Sequence, residues 1–395
     1  MLVVLHGQPM ANPGTFELLA TDGGARRARL HTAHGPVETP AFMPVGTAGA
    51  VKGVAPEELR ALGFDVLLAN TYHLYARPGA ERIEALGGLH RWIGWARAIL
   101  TDSGGYQVYS LSHLRRIRDD GIEFRSPYDG ARHHLTPELV MEIQRRLGSD
   151  IAMVLDECPP GDCDEATACR AVERTLNWAV RCARQPRAEG ALLFGIVQGA
   201  GRPELRARCA RALQDIGFDG YAIGGVSVGE PEERILAAVE MTMPHLPAER
   251  PRYVMGVGGV LQMLDMIAAG ADLFDCVMPT RLARHGTAFT WRGRFPLKAA
   301  VYASDPRPIE EGCGCPACRS FSRSYLRHLL QIGEMLGLRL LTLHNLHVYA
   351  TLMRRARAAI EAGRFTAFRA EVAATYREPS EEHVRAASAQ PENPT

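Results

Sequence analysis

The sequence predicts an α/β fold, a (β/α)8 TIM barrel, and three observations carry that prediction. Eight short runs rich in Val, Ile, Leu and Met recur along the chain. Segments with helical periodicity lie between most of them. Polar or Gly residues stand at nearly every C-terminal end of a run, where the active sites of such barrels are built. A doubly wound open sheet is the alternative, because periodicity does not count strands.

In chain order, FELLATDGGARRARLHTAHGPVETP near the N-terminus reads as a hairpin that plugs the barrel floor. The eight runs are AFMPVGT (41–47), DVLLANT (65–71), AILTDSGG (98–105), IAMVLDEC (151–158), LLFGIVQG (192–199), GYAIGGV (220–226), YVMGVGG (253–259) and LFDCVMPT (273–280). Helices are expected after Thr136, at Pro203 and at Pro231, and in each of these three Pro takes the first helical position. Two segments interrupt the alternation. Residues 106–136 carry a hairpin turn at Asp129-Gly130, and 281–344 begin with a hairpin tipped by Arg292-Gly293. The expected organisation is therefore a barrel over 1–280, a zinc-binding insertion over 281–344 after the eighth strand, closing helices over 345–378, and a flexible tail over 379–395.

Composition narrows the class. With 395 residues, 46% hydrophobic and 23% charged, the chain can bury a large core and is not disordered. A net charge of +1 hides any basic patch, so a polyanionic partner has to be read locally. No run is long enough to span a membrane, and the first residues lack the pattern of a signal peptide, so a cytoplasmic protein without membrane contact is expected. Six of the nine cysteines are scattered, which suits reduced thiols better than disulfides.

The other three crowd together. Cys313, Cys315 and Cys318 form C-x-C-x2-C, and His344 follows; three thiolates and an imidazole make a closed tetrahedral Zn2+ site that is structural rather than catalytic. At the strand ends stand Asn70, Asp102, Asp156, Gln198, Gly225, Gly258 and Asp275. Three carboxylates and a glutamine on one rim exceed what loop polarity explains. Ser103, Gly104 and Gly105 form a turn that lets backbone amides approach a ligand, as do Gly224 with Gly225 and the Gly256, Gly258, Gly259 cluster. From Pro279 to Lys298 five cations occur without an acid, and Arg319, Arg323 and Arg327 fall on one helical stripe. A phosphodiester track beside an acidic rim suggests RNA with one base drawn into the barrel mouth.

TDSGGYQV, LDEC, GIVQG, GG-x-x-VGE, MGVG, DCVMPTRLARHG and the cysteine cluster, in this order, closely resemble bacterial tRNA-guanine transglycosylase, also called queuine tRNA-ribosyltransferase, over roughly residues 14–375. The resemblance implies exchange of guanine at the wobble position of G-U-N anticodons for 7-aminomethyl-7-deazaguanine, through a covalent glycosyl-aspartate, in queuosine biosynthesis. It implies Asp275 as nucleophile and Asp102 as general acid/base, a division of labour that suits retention without water. Asp156, Gln198 and Gly225 match contacts to the base edge, with Tyr106 and Met255 as stacking faces. Cys158 and Val228 match a pocket that admits the aminomethyl base and rejects the larger queuine. Val226 and Ser227 stand where Leu and Ala are more usual.

Gly256, Val257, Gly258, Gly259, Val260, Leu261 and Gln262, with Thr280, Arg281, Leu282, Ala283 and Arg284, match the RNA-contacting segments. The resemblance also implies a homodimer built on the aromatic face of Phe321, Tyr325 and His328, with Lys52 from the barrel, and one structural zinc per subunit. The chain is expected to lack the added RNA-binding domain of the archaeal relative. Two other classes remain. A zinc-dependent barrel hydrolase would want His-x-His at the end of the first strand, which here reads Pro44-Val45-Gly46-Thr47, and a non-catalytic RNA-binding subunit would lack the two aspartates.

Overall fold

The computed structural model describes residues 11–105, 116–126, 130–227 and 229–377. Eight parallel strands close into a barrel: Ala41–Gly46, Val66–Ala69, Ala98–Thr101, Ile151–Met153, Leu192–Val197, Gly220–Ile223, Arg252–Val254 and Leu273–Cys276. Each predicted run supplies one strand. The last pairs with the first through Leu273 opposite Ala41, which closes the barrel and excludes the open sheet. Strand residues such as Ile99, Ile151, Phe194, Ile223 and Phe274 are fully enclosed, each burial being worth about 1.5–3 kcal/mol. Gly220 is required by this packing, because a Cβ there would sit 2.5 Å from the Phe194 ring.

The helices follow their sequence signals. Pro137–Leu147 begins where Thr136 accepts the Leu139 N–H and ends at Gly148, whose φ of 74° only glycine adopts cheaply. Pro203–Ile216 starts at its proline. Pro231, expected as a first helical residue, is instead the cap before Glu232–Thr242, one position outside the helix.

The N-terminal hairpin has a third strand. Phe16–Asp22, Ala25–Thr32 and Gly35–Thr39 form an antiparallel sheet that runs directly into the first barrel strand. It is fastened to the ends where barrel strands begin: Arg26 pairs with Asp272, and His34 Nδ1 lies 2.8 Å from Asp150 Oδ1. In the 106–136 insertion, Arg116–Arg118, Gly121–Arg125 and Arg132–Leu135 form a second antiparallel sheet; Asp129 of the expected turn lies outside the described residues. Thr287–Thr290 pairs with Gly293–Pro296, so Trp291-Arg292 makes the two-residue turn and Gly293 already belongs to the returning strand.

Residues of the zinc-type insertion build a second small core from Ala283, Leu297, Ile309, Cys315, Leu326 and Leu341. One helix, Met335–Glu361, spans this core and the barrel, and the boundary expected at 344–345 falls inside it. The arginine stripe is broken. Pro316–Ser320 ends at Phe321 and a new helix, Arg323–Gln331, starts with Ser322 capping the Tyr325 N–H at 3.2 Å. Arg323 is spent on Asp305 and the Ile309 carbonyl, and Arg327 on the carbonyls of Lys298 and Ala299. These two arginines hold the insertion together rather than continuing a track for phosphates. The tail over 379–395 lies outside the described residues, and no described helix is long and apolar enough to cross a membrane.

Candidate active site

The barrel mouth collects three carboxylates from strands three, four and eight. Asp102 follows Ala98–Thr101, where its Oδ2 accepts Asn70 Nδ2 at 2.5 Å and its Oδ1 accepts the Thr71 N–H at 2.8 Å. Asn70 and Thr71 come from the end of strand two, so parallel pairing of these strands sets the aspartate in place.

Asp156 is 8% exposed and accepts Gln198 Nε2 at 2.7 Å, with the Ser103 hydroxyl at 3.4 Å. Burial pushes its carboxyl up to about 6, and the charge of Asp102 adds to the rise against the bonds from Gln198 and Ser103. Gln198 is fully enclosed, yet its Oε1 has no hydrogen-bond partner among the described residues. An orphaned buried acceptor beside a carboxylate is a place prepared for N–H donors of a ligand.

Asp275 lies across the mouth on strand eight. Tyr253 Oη donates to its Oδ1 at 2.5 Å, and the Gly256 N–H donates to the same oxygen at 2.8 Å. No donor among the described residues reaches Oδ2, so one oxygen is held and the other is left with its lone pairs. Burial raises this carboxyl, and the two donors pull it back without cancelling the rise. An acid held by a phenol and an amide, with no cation, answers one reading of the sequence: Asp275 is not half of a salt bridge.

Around these acids, Gly104 approaches Tyr72 so closely that a Cβ would meet the Tyr72 backbone nitrogen at 3.3 Å. Gly105, Gly224 and Gly225 line the same mouth, and Cys158 and Met255 are half-buried beside them. Tyr106 and Val228 lie outside the described residues. Of the RNA-contacting candidates, Val257, Val260, Thr280 and Ala283 are buried and offer only backbone atoms, whereas Arg281 is exposed and Leu261, Gln262, Leu282 and Arg284 are half-buried. Tyr253 and Thr71, which hold the two aspartates, were not singled out by sequence reasoning. Tyr253 sits mid-strand, and only inward alternation could have pointed to it.

In the insertion, Cys313, Cys315, Cys318 and His344 bring their ligand atoms within 4.8 Å of one another. His344 Nδ1 lies 3.8, 3.4 and 3.3 Å from the three sulfurs, close to the edges of about 3.5 Å that tetrahedral Zn–S and Zn–N bonds generate. Its Nε2 is 2.7 Å from the Phe289 carbonyl, which fixes the ring with Nδ1 facing the thiols.

A closed (β/α)8 barrel with carboxylates at the strand-end rim and a Cys3His cluster in an insertion defines an enzyme class whose chemistry is kept apart from its metal centre. Comparison with known proteins gives the family. A profile described as queuine tRNA-ribosyltransferase matches residues 22–378. Queuine tRNA-ribosyltransferase of Nitratidesulfovibrio vulgaris (strain DP4) is 52% identical over 371 residues, covering 93% of this chain and 99% of its own. That of Solidesulfovibrio magneticus is 53% identical over 371 residues, 93% and 100% of the two chains. That of Thiobacillus denitrificans is 52% identical over 360 residues, 91% and 98%. The chain belongs to the queuine tRNA-ribosyltransferase family.

Proposed function

We propose that this barrel exchanges a base in tRNA by double displacement on ribose, with Asp275 as the nucleophile and Asp102 as the group that moves the proton. The enzyme is a pentosyltransferase of the tRNA-guanine transglycosylase type, acting in queuosine biosynthesis. One observation carries the assignment of roles: Asp275 is held through Oδ1 alone, so Oδ2 is free to attack. In the first step Oδ2 bonds to C1′ of the target ribose, the C1′–N9 bond breaks, and its electron pair leaves with guanine, which takes a proton at N9 from Asp102. The incoming base reverses the sequence, losing its proton to Asp102 as it displaces Asp275, so configuration is retained and no water enters.

Base recognition follows from the acceptor set. Asp156 ionised offers two oxygens to the N–H groups of a guanine-like edge, and Gln198 stands next to it. Cys158 and Val228 as pocket walls favour 7-aminomethyl-7-deazaguanine over queuine as the incoming base, and a G-U-N anticodon supplies the leaving guanine. Arg281 and Arg284, on the helix directly after the nucleophile strand, are placed to take RNA phosphates at the mouth.

The cysteines and His344 would hold one zinc ion per subunit, with all four positions filled by protein; such an ion supplies folding energy to the insertion and no chemistry to the mouth. The insertion is also the proposed homodimer face. Phe321 and Tyr325 stack with ring centroids 5.3 Å apart, and Val301, Ile332 and Met335 are 77%, 62% and 78% exposed nearby in sequence. Lys52 is exposed on the loop after strand one, next to the start of the Met335–Glu361 helix through Gly53 and Arg339. Large apolar side chains left outside in this number mark a surface that another copy covers.

The test is a covalent adduct. The native chain with unmodified tRNA should give a protein–RNA species that survives denaturing electrophoresis, and Asp275→Ala should still bind tRNA but give none. An adduct from Asp275→Ala would overturn the assignment.

A further inference from the structure

Arg206 is completely buried, and every hydrogen-bond acceptor the structure gives it is neutral. Its Nε donates to the Ala200 carbonyl at 2.6 Å, and both terminal nitrogens donate to the Gly224 carbonyl, at 3.3 and 3.2 Å. Longer contacts of 3.5 Å reach the Gly225 carbonyl and the Thr242 hydroxyl. A guanidinium taken out of water without a carboxylate costs several kcal/mol, a cost that folding alone does not explain. Burial pushes even its proton affinity down, to about 10.

The direction of the Gly224–Gly225 peptide shows where that charge acts. A trans peptide points its C=O and N–H to opposite sides. With the Gly224 oxygen turned back onto Arg206, the Gly225 N–H faces the other way, into the mouth, where it meets the Cys158 sulfur. The Gly224 N–H is already used on the Val197 carbonyl at 3.0 Å, so Gly225 supplies the donor. Two further features lock the arrangement. Gly225 has a φ of 62°, and a Cβ there would collide with Gln198 Oε1 at 2.5 Å. Ala200, whose carbonyl Arg206 also holds, is one of two described non-glycine residues with positive φ, at 50°.

We infer that Arg206 is a positioning residue that turns the Gly224–Gly225 peptide into an oxyanion donor for the exocyclic oxygen of the bound base. The inference rests on the transglycosylase reading above. A guanine-like edge places its N–H donors next to that oxygen, so Asp156 and the Gly225 N–H serve adjacent atoms of one ligand. When C1′–N9 breaks, the electron pair left on the base spreads onto this oxygen. A donor polarised by a buried cation in a water-poor pocket stabilises that charge more than it stabilises the neutral base. Hydrogen bonds in series reinforce one another in the same sense.

The experiment compares guanine with 6-thioguanine, in which the exocyclic oxygen becomes sulfur, a weak acceptor, while the N–H groups that Asp156 reads are kept. Inhibition constants and exchange rates into tRNA are measured for the native chain, Arg206→Met and Arg206→Lys, with thermal melting alongside. The native chain should prefer guanine by ~10-fold. In Arg206→Met, guanine binding and the rate at saturating base should each fall ~10-fold or more, with 6-thioguanine binding changed less than ~3-fold. Equal weakening of both bases, which is what a purely structural role gives, would overturn the inference, as would a native chain with no preference for oxygen. Should Arg206→Met fail to fold, Arg206→Lys decides. Its single ammonium cannot span the Ala200 and Gly224 carbonyls, so the preference should narrow at least ~3-fold, and a native preference with a native rate would overturn the inference. Absence of any exchange by the native chain would bring down the functional reading itself.

Discussion

The two ends of the barrel treat buried aspartates in opposite ways. At the floor, Asp150 accepts four donors: His34 through both backbone N–H and Nδ1, His90 Nε2, and the Ile99 N–H, all between 2.8 and 3.1 Å. Asp272 is paired with Arg26 and accepts the Arg252 N–H at 2.7 Å. At the rim, Asp102, Asp156 and Asp275 are held by amides, hydroxyls and a phenol, none of them cationic. Burial would raise Asp150, but the His34 and His90 bonds outweigh it and hold that carboxyl at about 2, whereas Asp156 rises to about 6. Saturated acids hold strands to the N-terminal sheet. Under-supplied acids keep the capacity to take protons and ligand N–H groups, which is what a reaction at neutral pH needs.

Exchanging the two kinds of acid for neutral residues should separate activity from stability. Asp156→Asn puts an amide where a base edge needs an acceptor. We expect kcat/KM for the base to fall on the order of 10^2–10^3-fold with the melting temperature equal to or above native, since a carboxylate raised by burial costs stability at pH 7. Asp150→Ala should do the reverse: about 3 kcal/mol less stable to urea, because two imidazoles and an amide lose their acceptor, with exchange per folded molecule unchanged. If the floor variant loses turnover without losing stability, the contrast fails.

The pH dependences should differ in the same sense. Asp156 is ionised only above about 6, so the KM for the base should climb as pH falls through that value. Asp150 is lowered in the fold, so its stability contribution is present above the unfolded carboxylate value and is lost as pH falls from about 4 toward 2. His34 is raised, chiefly by its bond to Asp150, so its contribution holds below the ordinary imidazole value and fades as pH rises through the raised one. Urea unfolding against pH and steady-state kinetics against pH read these separately; a KM flat between pH 5 and 7 would contradict the rim assignment. The smallest effect belongs to the insertion, remote from both ends. Tyr325→Ala should weaken dimerisation, visible in sedimentation at micromolar concentration, and lower activity only on dilution, with metal content unchanged.

Much of this was readable in one dimension. Eight apolar runs with polar ends give eight strands, because parallel strands buried on both faces must be continuous in hydrophobicity. C-x-C-x2-C is local enough for the backbone to converge its thiolates, and Asp102, Asp156 and Asp275 share a rim because the barrel places every strand end on one face. Pairing across sequence was not readable. Nothing near Asp275 specifies that Tyr253, 22 positions away, takes one of its oxygens and leaves the other free. Nothing in PELRARC distinguishes Arg206 from the exposed cations around it, since its burial against Gly224 depends on two βα units closing side by side. The broken arginine stripe has the same origin: helical phase ran through Phe321-Ser322 on paper, but the Ser322 cap and the Asp305 partner of Arg323 exist only once the insertion folds on itself. Residue type and spacing determined the strands, the metal ligands and the acids. Hydrogen-bond partners, and with them which acid is saturated and which is left able to react, were decided by contacts between segments that the chain keeps far apart.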